Sequence, residues 1–356
     1  MRRLPIFLLL DVSESMLGDG LHQLEKGVSD IVATLRRDPH ALETVFLSVI
    51  VFAGRARTLV PLTELAAFYP PTLPLGGGTA LGSALFYLMD EIDRQVITAS
   101  TRESKGDWRP IVFLLTDGYP TDDPGPALDR WNRFYRRRVN LVAVSVGGRA
   151  DHSALRQLTE KVIVFDDTAP DAFARVVDWI SLSILNQSRR VGGDRRGDVS
   201  LAKGDPGVIM PLDLAAPMLR TGNLDEQYAV FVARCALLRQ PYVVKFKRLQ
   251  TPSTRDSAIA QSPIFQYYRL ETAVQVEESY FELSDDTKIG RSVNSGELLG
   301  QPYCPYCISP YGMAVCTCGG IHCVERDGEQ TCPWCGSRGI YQAPGADGCD
   351  IGRERG

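Results

Sequence analysis

Asp11, Ser13 and Ser15 occupy alternate positions in LLLDVSES, directly after a run of five large apolar residues. A carboxylate and two hydroxyls at the end of a buried run are chemically useful if they grip one ion. Thr79, in GGGTALGSAL, and Asp117, in LLTDGYPTDD, offer two more oxygens from later loops. Five oxygen ligands, only two of them carboxylates, suit a hard divalent cation such as Mg²⁺ or Mn²⁺. Mg²⁺ takes six oxygens at about 2.0–2.1 Å and usually keeps water in some positions. With three neutral hydroxyls in the set, the ion stays electrophilic and attracts an anionic oxygen from outside. Each of these residues alone would read as a helix cap. The signal is their combination, with two of the loops following buried apolar runs. Glycines 76, 77 and 78 allow the Thr79 loop to approach without side-chain clashes.

A second set of chemistry-bearing residues lies near the C-terminus. Of nine cysteines, only Cys235 precedes residue 304. Cys304 and Cys307 form one C-x-x-C pair and Cys332 and Cys335 another. Cys316, Cys318 and Cys323, the last preceded by His322, lie between them. Thiolates at this spacing suit tetrahedral Zn²⁺, and the odd count suits a reducing compartment better than a disulfide framework. One or two ions fit. Two sites need eight ligands, and the eighth is His322 or Cys349. One interleaved scheme joins Cys304 and Cys307 with His322 and Cys323, and Cys316 and Cys318 with Cys332 and Cys335, although adjacent ligands such as His322 and Cys323 are awkward on one ion. Ligands are plentiful, so the zinc reads as structural rather than catalytic. Cys235 sits in an apolar strand pattern and reads as a buried small hydrophobe.

These residues must be positioned by a scaffold. Residues 1–188 alternate strand and helix patterns. The expected strands are Pro5–Leu10, Val45–Phe52, Arg57–Pro61, Pro110–Thr116, Asn140–Val146 and Val162–Phe165. Most are continuous apolar runs, as in parallel strands covered by helices on both faces. Leu21–Leu35, Ala80–Ile97, Pro126–Arg138, Ser153–Glu160 and Pro170–Asn186 read as helices. The prediction is a doubly wound α/β domain with a six-stranded, mostly parallel sheet. In the order 3-2-1-4-5-6, strands one and four flank the crevice where ligands bind, which sets Asp11 opposite Asp117. Residues 189–207 read as a charged, glycine-containing linker and 208–300 as a strand-rich region with one wet face. Residues 301–345 form the cysteine module and 346–356 a tail.

Composition narrows the function. The chain has 356 residues, too many for one core, and a formal charge of −4, which disfavours nucleic acid or an anionic membrane as partner of the whole chain. No apolar stretch approaches the roughly 18 residues that cross a bilayer. Pro5 and Asp11 interrupt the N-terminal apolar run, which reads as a first strand of a cytoplasmic protein rather than a signal peptide.

Residues 5 to about 188 resemble a von Willebrand factor A domain with an intact metal-ion-dependent adhesion site. The resemblance implies that Asp11, Ser13, Ser15, Thr79 and Asp117 bind the ion directly or through water, and that a partner's acidic side chain completes the coordination. An adhesion-type domain followed by a strand-rich stretch and a cysteine module resembles the TerY family of tellurite-resistance proteins. That implies a bacterial cytoplasmic stress-response adaptor working beside a protein kinase and a metal-dependent protein phosphatase.

Other functions have weaker support. Glycines before a helix can cradle phosphate, but three prolines precede GGGTALG and no Walker lysine follows. A metal-dependent hydrolase lacks a supporting constellation: His22, His40 and His152 stand in no motif, and no G-x-S-x-G elbow occurs. Tyr303, Tyr306, Tyr311, Trp334 and Tyr341 could stack on bases, but such aromatics more often pack around zinc knuckles. Glu14, Asp122 and Asp123 read as solvated loop acids near the cradle.

Overall fold

The apolar run at Leu4–Asp11 forms β1, buried along its whole length. A computed structural model describes residues 2–98, 106–116, 120–146, 152–165, 172–191, 209–211, 228–249, 267–285, 292–325, 328–341 and 348–352. The chain divides into two compact units. One comprises Met1–Pro74 and Thr79–Asn223, the other Leu75–Gly78 and Leu224–Gly356.

In the first unit, β1 is joined by β2 (Val45–Phe52), β3 (Ala56–Glu64), β4 (Ile111–Thr116), β5 (Asn140–Val146) and β6 (Val162–Phe165). The order is β3-β2-β1-β4-β5-β6, with only β3 antiparallel among these six, as the doubly wound prediction requires. A seventh strand, β7 (Ile209–Pro211), adds antiparallel to β6. It comes from the region that sequence patterning assigned to the strand-rich stretch. Three residues are too few for alternation to register.

Helices cover both faces. Leu81–Gln95 (α3), Gly125–Phe134 (α4) and His152–Leu158 (α5) pack with Phe7, Leu9, Val112, Leu114, Leu141 and Ala143 in one cluster. The opposite face meets Asp19–Leu35 (α1) and Ala172–Val191 (α6), where Trp179 sets its ring edge-on to Phe113 at 6.4 Å. Gly27 of α1 lets α6 close in, since a Cβ there would lie 2.9 Å from both Phe173 and Val177. Pro39–Thr44 forms α2, a helix too short for periodicity to reveal. Asp38 caps it by accepting from the Ala41 N–H at 3.0 Å and pairs with Arg189 at 2.8 Å. Arg189 thus belongs to α6 rather than to a linker; residues 192–208 lie outside the described residues.

The second unit is built on a six-stranded sheet, ordered β12-β10-β9-β8-β14-β13. Its strands are β8 (Tyr228–Arg234), β9 (Pro241–Arg248), β10 (Tyr268–Gln275), β12 (Leu298–Leu299), β13 (Tyr311–Val315) and β14 (Ile321–Val324). Strands from the middle region and from the cysteine module therefore share one sheet. Alternating side chains at Phe265–Leu270 and Val274–Leu283 predict two strands, but β10 spans part of both, and Ser279–Leu283 is a helix, α7. Two ribbons complete the unit: β11 (Ser292–Asn294) with β17 (Asp350–Gly352), and β15 (Gly328–Thr331) with β16 (Arg338–Tyr341). Inside this unit Gly77 donates its N–H to Ser284 Oγ at 2.8 Å, and a Cβ on Gly77 would stand 2.8 Å from Tyr280 Oη. Among the described residues no helix is long and apolar enough to cross a membrane.

Candidate metal centres

Three loops meet at the carboxyl end of the first sheet, and β2 ties two of them. The Val12 N–H donates to Phe52 O at 2.9 Å and the Ala80 N–H to Ala53 O at 2.7 Å. Adjacent carbonyls of one strand end thus hold the Asp11 loop and the Thr79 loop. The third loop is laced to both. Thr116 Oγ1 donates to Asp11 Oδ2 at 2.6 Å, while Thr121 Oγ1 accepts from the Thr79 N–H at 2.9 Å and the Thr121 N–H donates to Thr79 O at 2.8 Å. Asp117 directly follows Thr116 and lies outside the described residues.

Asp11, Ser13, Ser15 and Thr79 are all buried. Asp11 Oδ1 accepts the Ser13 N–H at 3.0 Å, and the hydroxyls of Ser13 and Ser15 are 2.9 Å apart. Glu14 is fully buried, not solvated. Asp122 is a helix-capping acid: its carboxylate accepts the N–H groups of Gly82 at 3.1 Å and Ser83 at 2.8 Å, at the start of α3. Asp123 accepts the Gly125 N–H at 2.9 Å and is exposed.

Burial raises the Asp11 carboxyl to about 6, against the lowering effect of hydrogen bonds from Ser13 and Thr116. Its described partners are neutral, so among the described residues hydrogen bonds but no countercharge oppose the desolvation. The linkage has a definite sign. A carboxyl raised in the folded state holds a proton that the unfolded chain has released between about pH 4 and pH 6. Without a cation, stability therefore falls as pH rises through that window, by about 3 kcal/mol from this group. A divalent cation opposes the loss. Melting in magnesium-free buffer should show an Asp11-dependent loss of stability from pH 4 to 6, absent in Asp11→Asn, and Mg²⁺ should raise the melting temperature more at pH 7 than at pH 5. A magnesium shift equal at both pH values contradicts this.

The cysteines of the second unit gather into two groups of four, each with its sulfurs within 4.8 Å of one another. Cys316, Cys318, Cys332 and Cys335 form one group, as the interleaved scheme anticipated. The other is Cys304, Cys307 and Cys323 with Cys235, not His322. Sulfur separations of 3.6 Å (Cys307–Cys323), 3.8 Å (Cys316–Cys335) and 3.9 Å (Cys318–Cys332) match the edge of a tetrahedron with Zn–S near 2.3 Å, about 3.8 Å.

The turns explain how Cys235 arrives. The N–H of Cys304 bonds Ser309 O at 2.9 Å and the N–H of Ile308 bonds Cys304 O at 3.0 Å. Cys332 repeats the pattern with Ser337 and Gly336, both at 2.9 Å. Cys235 repeats it again with Gln240 at 2.9 Å and Arg239 at 2.8 Å. Arg239, Ile308 and Gly336 share positive φ, at 58°, 59° and 75°. The β8–β9 turn thus has the geometry of the two C-x-x-C turns, with Leu238 where the second cysteine would stand, and Cys323 from β14 completes the sulfur group. Backbone N–H groups point at sulfur here too, Leu238 to Cys235 at 3.4 Å and Ala236 to Cys323 at 3.2 Å.

Burial pushes the Cys304 thiol up to about 11 and Cys323 higher still, whereas the Cys318 N–H helps hold Cys316 down to about 6. A metal at the group of Cys235, Cys304, Cys307 and Cys323 must displace protons, so its affinity falls as pH falls.

His322 is excluded as a ligand by strand geometry. Successive residues on β14 point to opposite faces, so His322 and Cys323 diverge. His322 Nδ1 lies 2.9 Å from Cys323 O and therefore donates to it. Nε2, 2.8 Å from Tyr341 Oη, then accepts. Burial lowers its pKa, consistent with this neutral form. Tyr341 also lies beside Cys316, so His322 connects the backbone of one sulfur group with the surroundings of the other. His322→Phe is expected to keep the metal content unchanged and to cost about 1–3 kcal/mol in chemical denaturation; a lost metal ion would make it a ligand after all. Cys349 belongs to neither group and is exposed, with its N–H on Ser295 Oγ at 2.9 Å.

The aromatics pack around the knuckles. Trp334 Nε1 donates to Ile321 O at 2.7 Å beneath the Arg234 guanidinium, and Tyr306 Oη lies 3.2 Å from both Pro241 O and Val276 O. Tyr303 and Tyr311 remain exposed.

Comparison with known proteins divides the chain similarly. Residues 6–186 match the family model of the von Willebrand factor type A domain, and residues 225–356 that of the TerY-C metal binding domain. No curated protein matches the sequence. Among solved structures, a von Willebrand factor type A protein from Catenulispora acidiphila is 14% identical, covering 80% of this chain and 69% of that one, with a TM-score of 0.40. Proximal thread matrix protein 1 from the mussel byssus is 17% identical over 52% of this chain and 48% of that one, TM-score 0.38. The ArnB paralog VWA2 from Sulfolobus acidocaldarius is 17% identical over 50% and 45%, TM-score 0.36. The chain thus spans about half the length of the last two. The first family model takes in half of the chain, from β1 into α6, and the second takes in every cysteine of both groups; the chain belongs to the von Willebrand factor type A domain family and carries a TerY-C metal binding domain as its C-terminal part.

Proposed function

We propose that the chain is a non-enzymatic, metal-dependent protein-binding adaptor. Asp11, Ser13, Ser15 and Thr79, together with Asp117, hold Mg²⁺ or Mn²⁺, and an acidic or phosphorylated group of a partner protein completes the coordination. The observation that carries this reading is the fully buried Asp11 carboxylate, whose described partners are neutral. A buried anion of this kind is costly until a cation joins it. A bound divalent cation supplies that countercharge and an electrophilic position for one outside oxygen. Ser13, Ser15 and Thr79 keep the donor set short of negative charge, and the Phe52, Ala53 and Thr121 hydrogen bonds hold the loops in place.

The two sulfur groups hold one Zn²⁺ each. Each supplies four thiolates, which fills a tetrahedral site and leaves no position for a reactive water. Their role is to fold the second unit. The resemblance to TerY supports a bacterial, cytoplasmic tellurite-resistance or stress-response circuit with a protein kinase and a metal-dependent protein phosphatase as partners.

The test is capture from a bacterial lysate by the purified full chain, with Mg²⁺ and in magnesium-free buffer that leaves zinc in place. A kinase or metal-dependent phosphatase retained only with Mg²⁺ is expected. Retention indifferent to Mg²⁺ would move the contact away from the cradle.

A further inference from the structure

We propose that the first unit carries a second ligand site, for a phosphate monoester, at the end of its sheet opposite the cation cradle. A pocket of about 510 Å³ opens where β4, β5 and β6 begin, against the end of α4. Its lining includes Arg109, Arg136, Arg137 and Lys161, and Glu160 is the sole acid among its lining residues. Four cations against one anion leave +3 in one concavity of a chain whose formal charge is −4.

Two of the cations are held in place by the fold. Arg109 donates to the carbonyls of Arg136 at 3.0 Å and Val139 at 3.2 Å, just past the end of α4. That accounts for Arg109 as a C-terminal cap, since cations suit the negative end of a helix. Arg136 pairs with Glu160 at 2.8 Å. The cap and the pair do not account for Arg137, which is exposed in the same lining, and Lys161 adds an ammonium to it. Asn132, Asn140 and Thr159 add polar atoms to the wall. Arginine forks and an ammonium around a concavity match the oxygens of a phosphate. The volume lies within the roughly 300–1,000 Å³ of small-ligand sites, larger than a bare phosphate needs. The ligand is therefore a phosphate carried on something larger, a nucleotide or a phosphorylated side chain. The cradle plays no part, because it sits at the carboxyl ends of the same strands.

Calorimetric titration of the full chain at low ionic strength tests this with inorganic phosphate, AMP, a phosphoserine peptide and its unphosphorylated form. Phosphate and at least one monoester should bind, the monoester more tightly. The tighter of AMP and the phosphopeptide identifies the source. Arg137→Glu with Lys161→Glu should weaken binding at least tenfold, while Asp11→Ala should leave it unchanged. If the double variant misfolds, the exposed Arg137→Ala alone should still weaken binding severalfold. No binding of any phosphate probe, equal binding of the unphosphorylated peptide, or indifference to the substitutions overturns the proposal. Salt-dependent binding of duplex DNA without any monoester binding also overturns it, and assigns the basic patch to nucleic acid.

Discussion

Cys235→Ser should lower the zinc content of the purified chain from two ions to one and unfold much of the second unit. Cys235 joins Cys304, Cys307 and Cys323 in one sulfur group, and that group is set within the apolar cluster of Phe231, Tyr242 and Phe246. Structural zinc contributes about 10–16 kcal/mol to small zinc-dependent folds, as much as the whole stability of an ordinary domain. A serine in place of one thiolate leaves three ligands and buried cysteines with raised pKa, so the ion is lost and the sheet around it loosens. Elemental analysis with near-ultraviolet circular dichroism reads both effects. Cys349→Ser is the control and should keep two ions. Two ions in Cys235→Ser would show that the fourth ligand is another residue.

Asp11→Ala is expected to do the opposite to the fold and equally severe harm to function. The sheet order and the apolar faces of β1 and β4 do not depend on an ion. Removing a buried, desolvated carboxylate relieves its cost, so without cation the variant should melt no lower than the parent at pH 7. It should lose the magnesium-induced rise in melting temperature and weaken partner binding by a hundredfold or more, since one of two carboxylates in the ligand set is gone. Global unfolding of Asp11→Ala would make the residue structural and contradict its assigned role.

Much of the first unit is legible because burial and periodicity agree there. Continuous apolar runs at 4–10 and 111–115 read as strands covered on both faces, and both are buried throughout; the strand order then sets Asp11 beside Thr116. Short elements escaped, because α2, with six residues, and β7, with three, repeat their patterns too few times to stand out. The sulfur groups show why spacing alone misleads. Cys235 carries no C-x-x-C signature, because Leu238 stands where a second cysteine would, and what marks it is a turn geometry shared with the Cys304 and Cys332 turns. His322 was attractive by type and position, but strand alternation turns it away from Cys323. At Gly77 what excludes a side chain is Tyr280, from a part of the chain that no local pattern connects to it.

The most direct test of the adaptor reading compares wild type and Asp11→Ala as baits in the same bacterial lysate, with Mg²⁺ and zinc present throughout. The account predicts that a protein kinase or metal-dependent phosphatase is captured by the wild type and is absent from the variant. The same partners on both baits would contradict it and leave the oxygen cradle without a part in recognition.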